Sequence, residues 1–163
     1  MSGPLIPGKI VRFLENANVA FAGTRDSRLV PHGHRVSGWL VGSDGRTITA
    51  LIAEMSRPHL LEALLDNGQI SMTTEQYPSH EAYQFKGRYL RHRPVGPADV
   101  EAVDRTRERF MRVARSFYPP EAEHAFQAFT PEPGIAIEFE VREIFVQTPG
   151  PGAGARLFPA EPA

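Results

Sequence analysis

The 163-residue chain contains no cysteine. Without thiols it has no disulfide framework, no thiolate nucleophile and no zinc–thiolate site. The absence fits a reducing compartment.

An excess of charge of one sign and long apolar runs are also missing. The formal net charge is −1, so no overall basic field favours nucleic acid as a partner. No segment reaches the length of a membrane-spanning helix, and the stretch from Met1 to Lys9 lacks the apolar run of a signal peptide. We therefore expect a soluble, cytoplasmic protein that binds neither nucleic acid nor a membrane.

The composition, 41% hydrophobic and 23% charged, suits one globular domain over residues 1–163. A proline-bounded leader occupies residues 1–8, and a Pro/Gly-rich tail occupies residues 149–163. The run from Pro149 to Ala155 excludes regular structure, so the tail is either disordered or an extended arm on another surface. We find no internal repeat and no interdomain linker.

Alternation of apolar residues and turn signals predict six strands and four helices. The strands fall near residues 19–24, 30–41, 47–53, 69–74, 83–90 and 135–147, and the helices near 9–16, 57–65, 97–117 and 121–129. Asp44-Gly45 is a strong hairpin signal, and Asn67-Gly68 suits the end of the second helix. A single crossover helix after the third strand favours an antiparallel barrel over a doubly wound sheet.

Two helices have predicted apolar faces. The second helix is expected to bury Leu60, Leu61, Leu64 and Leu65, and the third to carry one face made of Val100, Val103, Phe110, Val113 and Phe117. The arginines of the third helix alternate with acidic residues, which favours an ion-paired, solvated face over a nucleic-acid surface.

The start of the second helix has the chemistry of an anion site. Ser56 is a preferred N-cap residue, Pro58 suits a first helical turn, and free N–H groups there attract negative charge. Arg57 adds a donor fork shaped for phosphate. An ordinary capped helix with a solvated arginine is the alternative.

Arg35 follows two histidines on the second predicted strand. His32 and His34 share one face and could meet a metal or an anion, but no third ligand is evident nearby. If odd positions face the barrel interior and no bulge intervenes, Arg35 is partly buried and needs an anionic partner. A phosphate or an internal carboxylate would serve.

Gln84 and Lys86 share one face of the fifth strand, just before Gly87, where a bulge or a close backbone approach is expected. Together they offer an amide and a cation to one ligand. The sequence has no nucleophile–base pair, carboxylate dyad, dinucleotide motif or Walker motif of diagnostic spacing. Any chemistry would therefore belong to a bound cofactor.

The order of these elements and their residues resembles the pyridoxamine 5′-phosphate oxidase-like family of FMN-binding split barrels. The resemblance covers roughly residues 9 to 147. Its carriers are the helix from Lys9, the Arg35-Val36 pair, the strand Thr49–Ala53, the Ser56-Arg57 turn, the Asp66–Ile70 stretch and the Gln84–Gly87 strand.

The resemblance implies a mainly β (α+β) fold: a six-stranded antiparallel split barrel with flanking helices, assembled as a homodimer with two FMN sites at the interface. Flavin and phosphate contacts are implied for Arg35, Val36, Leu51, Ile52, Ser56 and Arg57. Gln84 would reach the flavin from the partner subunit, and Lys86 beside it would adjust the ring's electronics. The implied function is an oxidoreductase that transfers a hydride or electrons between FMN and a small-molecule substrate.

Two departures separate the chain from the true oxidases. Pro58 stands where the family has a lysine, and the C-terminal segment lacks the oxidases' Arg- and His-bearing substrate motif. Pyridoxamine phosphate is therefore not assigned as substrate. The sequence leaves open a deazaflavin in place of FMN, a non-catalytic flavin or haem module using His32, His34 and His80, and a dimerisation barrel with an empty cleft.

Overall fold

A computed structural model describes residues 6–128 and 131–158. Three parts of the predictions lie outside these residues: residues 1–5 of the leader, residues 159–163 of the tail, and the end of the fourth helix at Phe129. The structure contains helices α1 (Gly8–Asn16), α2 (Arg57–Asn67), α3 (Pro97–Ala114) and α4 (Glu123–Ala128), and strands β1 (Val19–Arg25), β2 (Pro31–Val41), β3 (Thr47–Ala53), β4 (Gln69–Gln76), β5 (Glu81–Arg93), β6 (Pro133–Val146) and β7 (Arg156–Phe158).

Six of these strands form a closed antiparallel barrel. The sheet order is β3-β2-β1-β4-β5-β6, and an additional β3–β6 pairing closes it. The predicted six-stranded antiparallel split barrel is confirmed. Among the described residues, no helix is long and apolar enough to span a membrane.

Local turn chemistry behaves as predicted. Gly45 adopts a φ of 63°, and the Asp44 carboxylate accepts hydrogen bonds from the backbone N–H groups of Arg46 and Thr47. Gly68, with a φ of 68°, ends α2 in the left-handed conformation. At Gly87 the β5–β6 register shifts, and an added Cβ would lie 2.4 Å from the Glu140 carbonyl oxygen.

The barrel interior is a continuous apolar core. Phe85, Phe139 and Ile48 are fully buried there. α1 closes one end of the barrel through Ile10 and its neighbours, and α2 closes the other end through buried Leu60, Leu64 and the partly buried Leu61. The prediction for Leu65 was wrong, because this side chain is 68% exposed on the far side of α2.

A β-bulge divides β2 into two halves. The β2–β3 register shifts between Val36 and Gly38. Before the bulge the even residues His34 and Val36 are buried, whereas after it the odd residue Trp39 enters the core and Val41 packs against it. The inward orientation considered for Arg35 depended on the absence of a bulge, and that condition is not met.

α3 lies on the outside of the barrel. An added Cβ at Gly38 would meet the Val103 Cα at 2.9 Å, so helix and strand backbones are in direct contact. Val103 and Ala102 of α3 pack with Leu51 of β3 and Ala136 of β6 in a second, smaller core.

The predicted apolar face of α3 was partly wrong. Val103 is buried, but Val100 and Phe117 are 44% and 59% exposed. The buried face instead includes the small Ala102 and Ala114, the polar Thr106 and the apolar Met111.

An ion-pair cluster ties α3 to the barrel. Arg93 at the end of β5 donates through Nη2 to Asp99 of α3 at 2.9 Å and through Nε to Glu138 of β6 at 3.2 Å. Asp99 also accepts a hydrogen bond from the Gly96 N–H. These contacts, led by the Arg93 hydrogen bond, lower the pKa of Asp99 below its usual value.

The C-terminal segment returns to its own sheet. The Pro/Gly-rich residues 149–155 form turns and bends without a helix or strand, as expected. After them, β7 pairs with Ile144 and Phe145 of β6. The Arg156 guanidinium forms an ion pair with Glu143. Sequence reasoning did not predict this strand.

Candidate functional site

A row of five neighbouring residues crosses the outer face of the barrel. Antiparallel pairing places Arg35 beside Phe21, Phe21 beside Thr73, Thr73 beside Gln84, and Gln84 beside Phe145. Phe21 is 53% exposed, so this face is open to a ligand or a partner. We call these residues the outer row.

Arg35 is the charged residue of the outer row, and its side chain is half-buried. Its guanidinium lies 4.9 Å from the centroid of the Phe21 ring, and its Nε is buried without a hydrogen-bond partner. Burial lowers the pKa of Arg35 below its usual value. Among the described residues no carboxylate forms an ion pair with it, so the side chain keeps a desolvated charge that an anion would stabilise.

The start of α2 lies next to Arg35 in the fold. Val36 pairs with Ile52, so Arg35 is beside the end of β3, from which the chain passes through a 3-10 turn, Glu54–Ser56, into α2. The structure thus brings the predicted anion-binding segments to one end of the barrel.

Ser56 and Arg57 differ in detail from the prediction. Ser56 has helical backbone angles and makes no side-chain capping hydrogen bond, because the 3-10 turn runs directly into α2. Arg57 donates to Glu54 at 2.9 Å on the surface. Capping by Ser56 was therefore a wrong prediction, and its hydroxyl is not committed to the helix.

Three of the predicted contacts have buried side chains. Val36 and Ile52 are in the barrel core, and Leu51 packs beneath α3. At 0–1% exposure none of them presents a side chain to a surface ligand. A contact at these positions would have to be made by the backbone.

Gln84 and Lys86 share one face of β5, as predicted, and it is the outer face. Tyr83 before them and Phe85 between them point into the core. The Lys86 Nζ lies 4.5 Å from the centroid of the Phe145 ring. Three strand spacings separate Gln84 from Arg35, or about 14 Å along the sheet. The two residues therefore do not meet at one small group within a subunit.

A groove of about 710 Å³ runs along the outer face beside the outer row. Gly33 and Gly23 are paired at its floor, followed across the sheet by Ser71, Lys86 and Glu143. An added Cβ at Gly33 would meet nothing within 4 Å, so the floor is bare backbone there. We call this space the outer groove.

The histidines have separate environments. His34 is buried and its Nε2 lies 3.2 Å from the Thr24 hydroxyl, and burial lowers its pKa. His32 lines the outer groove and stacks on His59 of α2. Within residues 6–128 and 131–158 no three His, Asp or Glu side chains are grouped to hold a metal ion.

Sequence reasoning missed Phe21, Thr73 and Phe145 of the outer row. Alternation along each strand could have shown that they face outward. What it could not show is the β1–β4 pairing, which joins strands that are far apart in the chain.

Comparisons with known proteins identify the fold. HupZ from Group A Streptococcus superposes with a TM-score of 0.55 at 17% identity, covering 91% of this chain and 100% of that one. A pyridoxamine 5′-phosphate oxidase-related, FMN-binding protein from Nostoc punctiforme gives a TM-score of 0.52 at 11% identity, covering 91% and 87%. The chain has the split-barrel fold of these proteins.

At this level of identity the similarity concerns the fold alone. No protein-family model matches the chain, and a comparison with curated protein sequences gives no match. The split-barrel resemblance predicted from the sequence is confirmed as a fold, and the site has to be argued from this chain's own residues.

Proposed function

We propose that the protein binds FMN on the outer face of the barrel as a homodimer and acts as an FMN-dependent oxidoreductase. The half-buried guanidinium of Arg35 carries this proposal, because its Nε is buried and has no hydrogen-bond partner among the described residues. A phosphate would supply the missing counter-charge and accept the free donor. The fold it shares with the FMN-binding Nostoc protein supports the same ligand.

The residues around Arg35 fit the phosphate end of FMN. Ser56 offers an uncommitted hydroxyl, and Arg57 is an exposed cation able to exchange its Glu54 contact for a phosphate oxygen. These groups stand in for the lysine that Pro58 replaces. Leu51 and Ile52 would contribute backbone groups only.

Arg35 and Gln84 are about 14 Å apart along the sheet, which favours a site completed by a second copy of the chain. In a homodimer the Gln84 and Lys86 of the partner subunit would approach the ring while Arg35 holds the phosphate. Exposed Phe21 would lie at such an interface, where aromatic residues are common.

Bound FMN would supply hydride or electron transfer to a small molecule. The chain's own part is to hold and orient. Arg35 fixes one end by charge, the glycine floor of the outer groove admits a flat ring close to the backbone, and Lys86 places a positive charge beside it. The substrate is left unassigned.

A haem-binding module is the second candidate, and His32 is the observation that favours it. This imidazole lines the outer groove, and a neutral imidazole ligates haem iron. The other histidines named from the sequence are engaged elsewhere, His34 with Thr24 and His80 with Glu75.

The test is an absorbance spectrum of the purified protein, before and after FMN is added and the excess removed by gel filtration. Retention of one flavin per chain on a dimer-sized species supports the proposal. Arg35→Met should weaken FMN binding about ten- to hundredfold, the effect of losing a charged hydrogen-bonding partner.

Arg115→Met is the matched control, because Arg115 is exposed and pairs with Glu123 away from the outer face. It should bind FMN as the wild type does.

A Soret band that is lost in His32→Ala would instead favour haem. Absence of both chromophores, with no rise in melting temperature on adding FMN, would leave a dimerisation barrel.

A further inference from the structure

A second pocket, of about 420 Å³, opens between α1, α3 and the end of β2. It shares no lining residue with the outer groove. The contact of Gly38 with Val103 lies between this pocket and Arg35 along β2. Its apolar wall comes from Val11, Leu14, Trp39, Leu40 and Val41.

Arg109 of α3 lines this pocket in a half-buried position. Its Nη1 donates to the Glu15 carbonyl oxygen at 2.8 Å, and its Nη2 donates to the Thr106 hydroxyl at 3.0 Å. Its Nε is buried without a partner. In the described part of the chain no carboxylate forms an ion pair with it, so both of its partners are neutral.

Arg105 adds a second cation one helical turn away. Its Nη1 is 3.6 Å from the Glu101 carboxylate, and both side chains are more than half exposed, so that pair is weak. Burial, together with the charges of Arg105 and Arg112, lowers the pKa of Arg109. The carboxylate of Glu15, exposed at the pocket, is the acidic group among the lining residues.

We propose that this pocket binds a small organic carboxylate, with its apolar body against the wall and its carboxylate paired with Arg109 and Arg105. Among the residues that line the pocket, two cations outnumber one carboxylate, which favours an anion over a cation as ligand. The apolar wall selects an organic anion over an inorganic one. The site is separate from the proposed FMN site.

Trp39 gives a direct readout, since it is the one tryptophan of the chain and forms part of the wall. Octanoate should change its fluorescence in a saturable way. Octylammonium, of equal length and opposite charge, and inorganic phosphate, which lacks the apolar body, should leave it unchanged. An equal response to octanoate and octylammonium would mean adsorption to apolar surface and would overturn the proposal, as would no response to octanoate.

Arg109→Gln should weaken octanoate binding about tenfold or more, since a charged hydrogen-bonding partner is lost. Arg105→Gln is the second variant. Because the Arg105 side chain is more exposed than that of Arg109, its loss should not disturb the fold, and it should weaken octanoate binding by a smaller factor. Arg115→Gln should bind as the wild type does. Unchanged octanoate affinity in both pocket variants would refute the assignment, and FMN retention in the same samples shows whether the two sites are independent.

Discussion

The outside of the barrel has two parts that handle charge and backbone differently. Beneath α3, the Arg93 guanidinium forms ion pairs with two carboxylates, and Gly38 of β2 is in contact with helix backbone. On the outer row, Arg35 has an aromatic neighbour but no carboxylate partner among the described residues, and Gly33 in the adjacent outer groove faces open space. The first part is complete within the chain, whereas the second has the features of a surface that something else completes.

Loss of Arg93 should have the largest effect. Arg93→Met leaves Asp99, whose side chain is 2% exposed, without its cation. Because the Arg93 side chain is itself 36% exposed, we expect the variant to lose about 2–3 kcal/mol of unfolding free energy, the effect of removing a charged hydrogen-bonding partner. Arg35→Met removes a cation that has no carboxylate and should stay within about 1 kcal/mol of the wild type without ligand. Urea unfolding of the two matched variants measures the difference; equal losses would erase the contrast between the two parts.

The two glycines of β2 should separate the parts in the same way. Gly38→Ala forces α3 away from the strand and should destabilise by about 2 kcal/mol, as overpacking does. Gly33→Ala, with open space around it, should change stability by less than about 0.5 kcal/mol. Thermal melts compare the two, and a large loss in Gly33→Ala would show that the outer groove is filled by the chain itself.

Low pH should weaken the ion-paired contact between Asp99 of α3 and Arg93 of the barrel. The folded pKa of Asp99 is lowered, so its contribution to stability is present above its unfolded pKa, near 4, and is lost as the pH falls through the lower folded value. The stability difference between the wild type and Asp99→Asn should therefore be constant at neutral pH and shrink in strong acid. A gap that persists at the lowest pH would assign the effect to packing.

The smallest effect concerns Lys86 and sharpens the outer side. A cation beside a flavin favours negative charge on the ring, so Lys86→Met should lower the reduction potential of bound FMN. Because Lys86 is exposed, the effect should correspond to about 1 kcal/mol or less. Spectroscopic redox titration of the wild type and the variant tests this, and an unchanged potential would remove Lys86 from the site.

The elements that sequence reasoning predicted well are governed by local chemistry. Gly45 and Gly68 adopt a positive φ that few residues tolerate, and at Gly87 an added Cβ would collide with the Glu140 carbonyl oxygen. Each glycine is therefore required locally, and the sequence shows its role. That Gln84 and Lys86 share one face followed from alternation along a part of β5 that has no bulge.

Predictions failed where distant segments decide the outcome. Leu65 and Phe117 looked apolar enough for the core, but the surfaces packed against α2 and α3 do not reach them. Ser56 has a capping side chain, yet the turn before it is already helical. The inward or outward direction of Arg35 depended on a bulge for which the sequence offers no local signal.

The bulge in β2 changes which side chains face the core, from even-numbered residues before it to odd-numbered residues after it. Ser37, fully buried, donates from its hydroxyl to the Pro131 carbonyl oxygen at 2.6 Å, which holds the extra residue in place. If Ser37 were deleted, the same alternation of inward and outward side chains would run along the whole strand. Either Arg35 would then turn into the barrel or Trp39 would turn out of it. One residue, Ser37, thus lets a single strand present odd-numbered side chains to the outer surface in its first half and to the packed core in its second.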